Sequence, residues 1–384
     1  MKRSTHGILT THNGSLPRLP ELLPQLLAKD QGKPYDHETF ETTVRKAVAD
    51  VVKRQVDAGI TVLNDGEQSK LSYLFYIKDR LTGLGVEEDR ARQERAGEDQ
   101  EFPEYFARSG SRATRRPVCT GPIDWKDFGA VQKDIDNLKA AVKGVQAQDV
   151  FMSSNSPGNS VRTIHNRYYR TGDEYLQAVA DALKREYKAI VDAGFLLQID
   201  CPDLASAGSR EADLYNSQAK LRAMIAHNVE VLNGVTKQLP PEQMRIHVCW
   251  GAGEGPHNRD VELKVIVDLL LKTIAAGVTI VGANGRHEHE WKVWKDVKVP
   301  DGKAIVPGVI DSTCNFIEHP EAVAERIVRY AGVLGKENVI AGVDCGFATS
   351  VGNAAPQVDP KISWAKLKSL SDGAALATKE LWRK

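Results

Sequence analysis

Three times in this chain a helical stretch runs into a glycine and a β-run starts at once. Ala58-Gly59 precedes 60–63, Val191-Asp192-Ala193-Gly194 precedes 195–200, and Ile274-Ala275-Ala276-Gly277 precedes 278–281. A glycine just past a helix takes the left-handed capping conformation at least cost, so the phrase marks a helix end followed by a strand. Repeated helix-to-strand units point to a parallel sheet with its helices outside. The helix before Phe195 carries Leu176, Val179, Ala180, Leu183, Tyr187, Ile190 and Val191 at helical spacing, one apolar stripe for packing on that sheet. Strands are also predicted over 7–11, 150–153, 245–249, 305–310 and 339–344, with helices over 38–58, 260–276, 320–334 and 362–381. Eight strands alternating with helices over 384 residues predict an α/β fold, a (β/α)8 TIM barrel. The whole chain, 1–384, is expected to form one such domain, with an N-terminal extension and a charged insertion at 85–116. Residues 117–120 read as a strand outside the barrel.

Charge removes several classes of function. Lys plus Arg and Asp plus Glu number 51 each, so no basic field marks a nucleic-acid binder. Residues 1–10 lack the apolar run of a signal peptide, and no 18-residue apolar stretch occurs. A cytoplasmic enzyme without membrane or nucleic-acid partners is the expectation. Its five cysteines are scattered and odd in number, which predicts reduced thiols and no disulfide framework.

Functional side chains of such a barrel stand at the C-terminal ends of its strands. That rule selects Ser15, Glu67, Asp200, His247, Cys249, Asp311 and Cys345. His247 and Cys249 are two apart on one strand and so project to the same side. Imidazole and thiolate are preferred zinc ligands, and Cys345 closes the last strand at the same mouth. Three protein ligands with an open fourth position describe a catalytic Zn2+.

These residues carry a resemblance. Thr11-His12-Asn13-Gly14-Ser15-Leu16-Pro17-Arg18, Leu197-Gln198-Ile199-Asp200, His247-Val248-Cys249 and Asp344-Cys345-Gly346 resemble the C-terminal zinc barrel of the cobalamin-independent methionine synthase family. Arg286-His287-Glu288-His289-Glu290-Trp291 resembles its single-barrel members, and the chain also resembles the related epoxyalkane:coenzyme M transferases. The resemblance implies that His247, Cys249 and Cys345 hold zinc. It also implies that a bound thiol, homocysteine-like, is alkylated as its thiolate, and that Ser15, Glu67 and Asp200 take the carboxylate and amine of that thiol. The partners are then a small-molecule thiol and an alkyl donor. Other expectations are that Arg18 and Arg286 clamp an anionic group, and that His12 and Asp311 at the mouth are catalytic candidates.

The departures from the family matter as well. Its carboxylate zinc ligand at the end of the sixth strand falls on Val281 or Gly282, neither of which can bind metal. A histidine expected after the seventh strand is replaced near Asp311-Ser312-Thr313, and Cys201 stands where many relatives have an acid. Zinc with two thiolates and a neutral imidazole is formally neutral, one unit less negative than with an added glutamate. A less negative centre acidifies a thiol more and leaves its thiolate less nucleophilic. The electrophile is therefore expected to be more reactive than methyltetrahydrofolate: an epoxide, a sulfonium or methylcobalamin. Glu288 is a candidate to swing in as the missing ligand, and 287–290 a candidate second metal site against a capping role. Cys201 and Cys314 read as small buried hydrophobes. The run 251–256 is expected to let backbone pass near the metal, since it does not match a dinucleotide loop. The alternatives are thiol addition to an epoxide and a metal-free barrel acting as a decarboxylase-like or binding protein. The charged run within 85–116 is read as a solvated segment, with an active-site lid as the other possibility.

Overall fold

A computed structural model describes residues 1–87, 97–108, 116–349 and 357–383. Ten strands follow in chain order: β1 (Val62–Asn64), β2 (Leu84–Glu87), β3 (Arg116–Cys119), β4 (Asp149–Asn155), β5 (His165–Asn166), β6 (Leu196–Asp200), β7 (Met244–Val248), β8 (Gly277–Ile280), β9 (Ala304–Ile310) and β10 (Gly342–Val343). Seven form one parallel sheet in the order β1-β4-β6-β7-β8-β9-β10. The expected first strand closes the ring as a minimal one. Thr11 N and Ala341 N bond to Ala341 O and Leu9 O at 2.9 and 2.8 Å, and on the other side Val62 N bonds to Thr10 O at 3.0 Å. Thr10 and Thr61 also exchange side-chain bonds with each other's backbone, replacing part of a regular ladder. The fold is α/β with the sheet curled into a barrel, as the sequence predicts.

The long helix before β6 spans Gly172–Asp192, capped by Thr171, whose hydroxyl accepts from Glu174 N. Its predicted apolar stripe is buried throughout. Gly59 and Gly194 are the left-handed caps expected of them, at φ +83° and +87°. Gly277 is not. The preceding helix ends at Leu270, and Gly277 is already the first residue of β8. It is glycine because the barrel is tight there: a Cβ would lie 2.6 Å from the Cβ of Arg245. Sequence reading thus extended that helix too far, mistaking a close-approach glycine for a cap.

Residues 117–120 do lie outside the barrel. β3 pairs antiparallel with β2 and parallel with β5 in a separate three-stranded sheet. The charged run 88–96 lies outside the described residues, as do 109–115. The described part of the insertion reaches the loop after β7, where Glu101 Oε2 accepts from Asn258 Nδ2 at 2.9 Å and from Arg259 Nε at 3.2 Å. No helix among the described residues is long and apolar enough to cross a membrane. All five cysteines are free thiols.

Candidate active site

β7 ends at Val248, so His247 leaves the barrel from the last turn of the strand and Cys249 from the first residue beyond it. Cys345 lies two residues past β10. The curl of the sheet brings the three together: one potential ligand atom from each lies within 4.8 Å of the others, and all three residues are buried.

The surroundings settle which nitrogen of His247 faces the sulfurs. Thr279 Oγ1 donates its one proton to Ile246 O at 3.1 Å, so its 3.0 Å contact with His247 Nδ1 requires Nδ1–H as donor. In the neutral ring Nε2 then keeps its lone pair. An imidazole fixed in this way by its outer nitrogen is the usual preparation for a metal ligand. The two thiols are equally prepared. The S–H of Cys345 toward Cys249 lowers the Cys249 thiol well below its ordinary range, against burial, and His247 and the Gly251 N–H lower it further. Cys345 is pushed up by the same pairing and by burial. One thiolate, one thiol and an imidazole compressed into one buried spot is a donor set that a divalent zinc fits, displacing the shared proton. Replacing Thr279 by valine keeps the shape and removes the acceptor of Nδ1–H. We expect about a 10- to 100-fold loss of zinc affinity in a chelator competition, with the fold intact.

Backbone geometry supports both cysteines. Gly251, at φ +123°, turns the chain directly after Trp250. Cys345 N donates to Ser312 Oγ at 3.1 Å. The neighbouring Asp344 is buried and accepts from three consecutive backbone N–H groups beyond β8: Gly282 at 2.8 Å, Ala283 at 2.9 Å and Asn284 at 2.7 Å. Burial nonetheless raises its carboxyl to about 7. A Cβ on Gly282 would meet Tyr330 Oη at 2.5 Å, so no longer side chain fits there.

The cluster opens into a cavity of about 410 Å3. Ser15, Arg18, Glu67, Asp200 and the three cluster residues all line it, together with Leu23, Tyr73, Leu74, Phe347 and Val358. Glu67 is held there by a strained turn. Its own φ is +55°, rare for a residue with a side chain, after Gly66 at +63°. Asn64 and Asp65 stabilise the turn by accepting from Gly66 N at 2.7 Å and Glu67 N at 3.0 Å. Glu67 Oε1 accepts from Ser153 Oγ at 2.6 Å, while its buried Oε2 has no hydrogen-bond partner. Asp200 Oδ1 accepts from Gln198 Nε2 at 2.9 Å, and burial lifts its carboxyl to about 7 against the pull of His247. Gln198 Oε1 in turn accepts from the buried Arg245 at 2.9 Å. Ser15 packs so closely that a Cβ on Gly346 would lie 2.0 Å from its Oγ.

Other expected site residues take different places. Arg18 lines the cavity, yet its guanidinium donates to the carbonyls of Leu16, Gly66 and Lys70 and stands 4.0 Å from Glu67, so it knits the loops instead of clamping an anion. His12 is buried outside the cavity lining. Its Nε2–H meets Gln55 Oε1 at 2.8 Å and its Nδ1 accepts from Gly14 N at 3.2 Å, which commits both nitrogens and leaves none for catalysis. Burial lowers its pKa to about 4, so it is neutral. Asp311 turns back to accept from Thr313 N and Oγ1, both at 2.7 Å, capping a turn beside the cavity. Arg286 is exposed and bonds to Asn258 O at 3.1 Å, away from the cavity. Glu288 points to Arg326 and Arg329, at 3.2 and 3.6 Å, and does not replace the missing ligand. Cys201 is fully buried; Cys314 is only partly buried, 3.7 Å from Lys366 Nζ.

The 287–290 segment is a structural clamp. His287 stacks on Trp250 at 4.1 Å and lies between Asp260 at 3.1 Å and Glu290 at 2.8 Å. Burial disfavours its charge, but the two carboxylates outweigh it and raise the pKa to about 9. A histidine raised in the folded state stabilises fully below its unfolded value of 6.5 and loses that contribution as pH climbs through 9. Thermal stability is therefore expected to fall between those values, by up to about 3 kcal/mol. His287→Gln should flatten the decline, and an unchanged slope in that variant would contradict this account of the clamp.

The family described as "Cobalamin-independent synthase, Catalytic domain" matches residues 157–362, more than half of the chain, a span that includes His247, Cys249 and Cys345. The chain belongs to this family. Among the relatives of this chain, the methionine synthase of Sulfolobus acidocaldarius is 24% identical over 377 residues, covering 98% of this chain and 94% of the relative. That of Saccharolobus solfataricus is 22% identical over 387 residues, covering 98% and 96%. A B12-independent methionine synthase from Shewanella sp. W3-18-1, solved with selenomethionine, superposes with a TM-score of 0.73 at 20% identity over 97% of this chain and 99% of that one. A putative vitamin-B12 independent methionine synthase from Listeria monocytogenes gives 0.65 at 19% identity over 98% and 99%. These likenesses agree with the barrel described above. Thr279, Gln198, Arg245 and Ser312 were not singled out from the sequence; period-two spacing within β6–β8 is the signal that would have found Gln198 and Arg245.

Proposed function

We propose that this family member transfers an alkyl group, most simply methyl, to the sulfur of a homocysteine-like thiol bound beside His247, Cys249 and Cys345. The observation that carries the reading is a buried His/Cys/Cys donor set at the floor of a cavity with two carboxylates. His247 Nε2 and the Sγ atoms of Cys249 and Cys345 would hold zinc, which would supply the acidity that keeps a thiol as its thiolate near neutral pH. Among the described residues only these three are placed to be ligands, since Val281 has no donor and Gly282 has no room for one. A metal held by these three residues would have room left for the substrate sulfur.

The chain's own groups do the positioning. Glu67 Oε2, buried and unpartnered, is ready to accept from the substrate ammonium, and Asp200 stands as its second acceptor. Ser15 is left for the carboxylate, since the Arg18 fork is spent on backbone carbonyls. Leu23, Leu74, Phe347 and Val358 give the same cavity an apolar wall beside these polar groups, and apolar walls strengthen electrostatic contacts wherever a bound substrate displaces water. The test is a thiol titration of the zinc protein comparing homocysteine, coenzyme M and glutathione. Homocysteine should bind with release of a proton. Glu67→Gln should raise its KM about 10-fold or more with little change in metal content. Equal binding of all three thiols in both proteins would contradict the assigned roles.

A further inference from the structure

The charges around the cavity select the second substrate, and this step rests on the thiol-transfer reading above. Among the described lining residues Arg18 is the only Lys or Arg, and it is engaged by three carbonyls and Glu67. A zinc centre with two thiolates and a neutral imidazole is itself neutral, so that single cation stands against Glu67 and Asp200. Homocysteine enters as a zwitterion and adds one more negative charge when its sulfur is deprotonated. The loaded cavity is then net negative, has aromatic side chains Tyr73 and Phe347 in its wall, and offers an anionic donor no free cation among the described residues.

We infer that the alkyl donor is a small cation, a sulfonium, whose charged sulfur is held by this negative, aromatic-lined wall. Cations are attracted both by carboxylates and by aromatic faces. The homocysteine thiolate attacks the methyl carbon, and its electron pair forms the new S–C bond. The old C–S bond breaks with its pair on the departing sulfur. One anion and one cation thereby become two neutral thioethers, and no oxidant, reductant or further proton is needed. Charge of opposite sign is annihilated in this step, so a cavity that excludes water favours it. An epoxide would instead leave an alkoxide, whose growing negative charge the same wall repels.

The zinc protein with homocysteine should be offered four donors at equal concentration: trimethylsulfonium, S-methylmethionine, propylene oxide and methyltetrahydrofolate. Alkylated product is then followed by mass spectrometry, and proton release on thiol addition is recorded separately. At least one sulfonium should exceed both uncharged and anionic donors by about 10-fold or more in kcat/KM. Tetramethylammonium, a cation of similar shape that cannot transfer here, should inhibit competitively with that donor, while tert-butanol should not. Normal proton release with alkylation only from the oxide or the folate would overturn the sulfonium donor and leave thiol transfer standing. Absence of proton release would overturn both.

Discussion

Cys345→Ala is expected to purify as a folded barrel with less than about a tenth of the zinc of the parent protein, and with alkyl transfer reduced at least about 100-fold. The reason lies in the ligand count. The family's carboxylate position is expected at Val281 or Gly282, neither of which can bind metal, and Glu288 is committed to Arg326 and Arg329. Loss of one thiolate therefore leaves His247 and Cys249 alone, with no substitute ligand among the described residues. Proteins with a fourth protein ligand should tolerate the same change better. Cys119→Ala, which removes a buried thiol of β3 outside the barrel, is the control and should keep its metal. Metal content by atomic emission and the circular dichroism of both variants check the result.

Gly308→Ala is expected to be the most damaging small substitution in the barrel. A Cβ there would lie 1.9 Å from Asp344 Oδ1 and 2.8 Å from the backbone N and Cα of Asp344. The carboxylate can rotate only by abandoning the three N–H groups that its two oxygens accept from, and the backbone atoms can move only by separating β9 from β10. Overpacking of this kind costs about 1–3 kcal/mol, and each buried N–H left unpaired adds about 1–3 more. We expect a Tm lowered by several degrees or failure to fold, and loss of zinc in whatever folds, because Cys345 follows Asp344 directly. Gly332→Ala, where a Cβ meets nothing within 4 Å, should be close to neutral.

Much of this architecture was legible in the sequence because its signals are local. Helix-terminal glycines and the stripe from Leu176 to Val191 report on neighbours within one element, and so they survive without tertiary knowledge. The cluster of His247, Cys249 and Cys345 was legible for a different reason: strand ends of a barrel share one mouth, which converts distant positions into neighbours. Roles that depend on where a side chain turns were not legible. His12 and Asp311 sit at strand ends like the site residues, but hydrogen bonds to Gln55 and Thr313 direct them elsewhere. Arg18 enters the cavity wall, yet three carbonyls unseen in sequence consume its donors. Gly277 looked like a helix cap and is a packing contact with Arg245, a partner 32 residues away on the adjacent strand.

The central claim is that this chain binds one zinc at an open three-residue site that deprotonates a thiol. The most direct measurement is zinc stoichiometry of the purified protein combined with the proton count on adding homocysteine in weakly buffered solution. The account predicts about one zinc per chain and about one proton released per thiol bound, both abolished by Cys345→Ala. A zinc-free protein whose stability is unchanged by chelator, or one that binds homocysteine without releasing a proton, would contradict it.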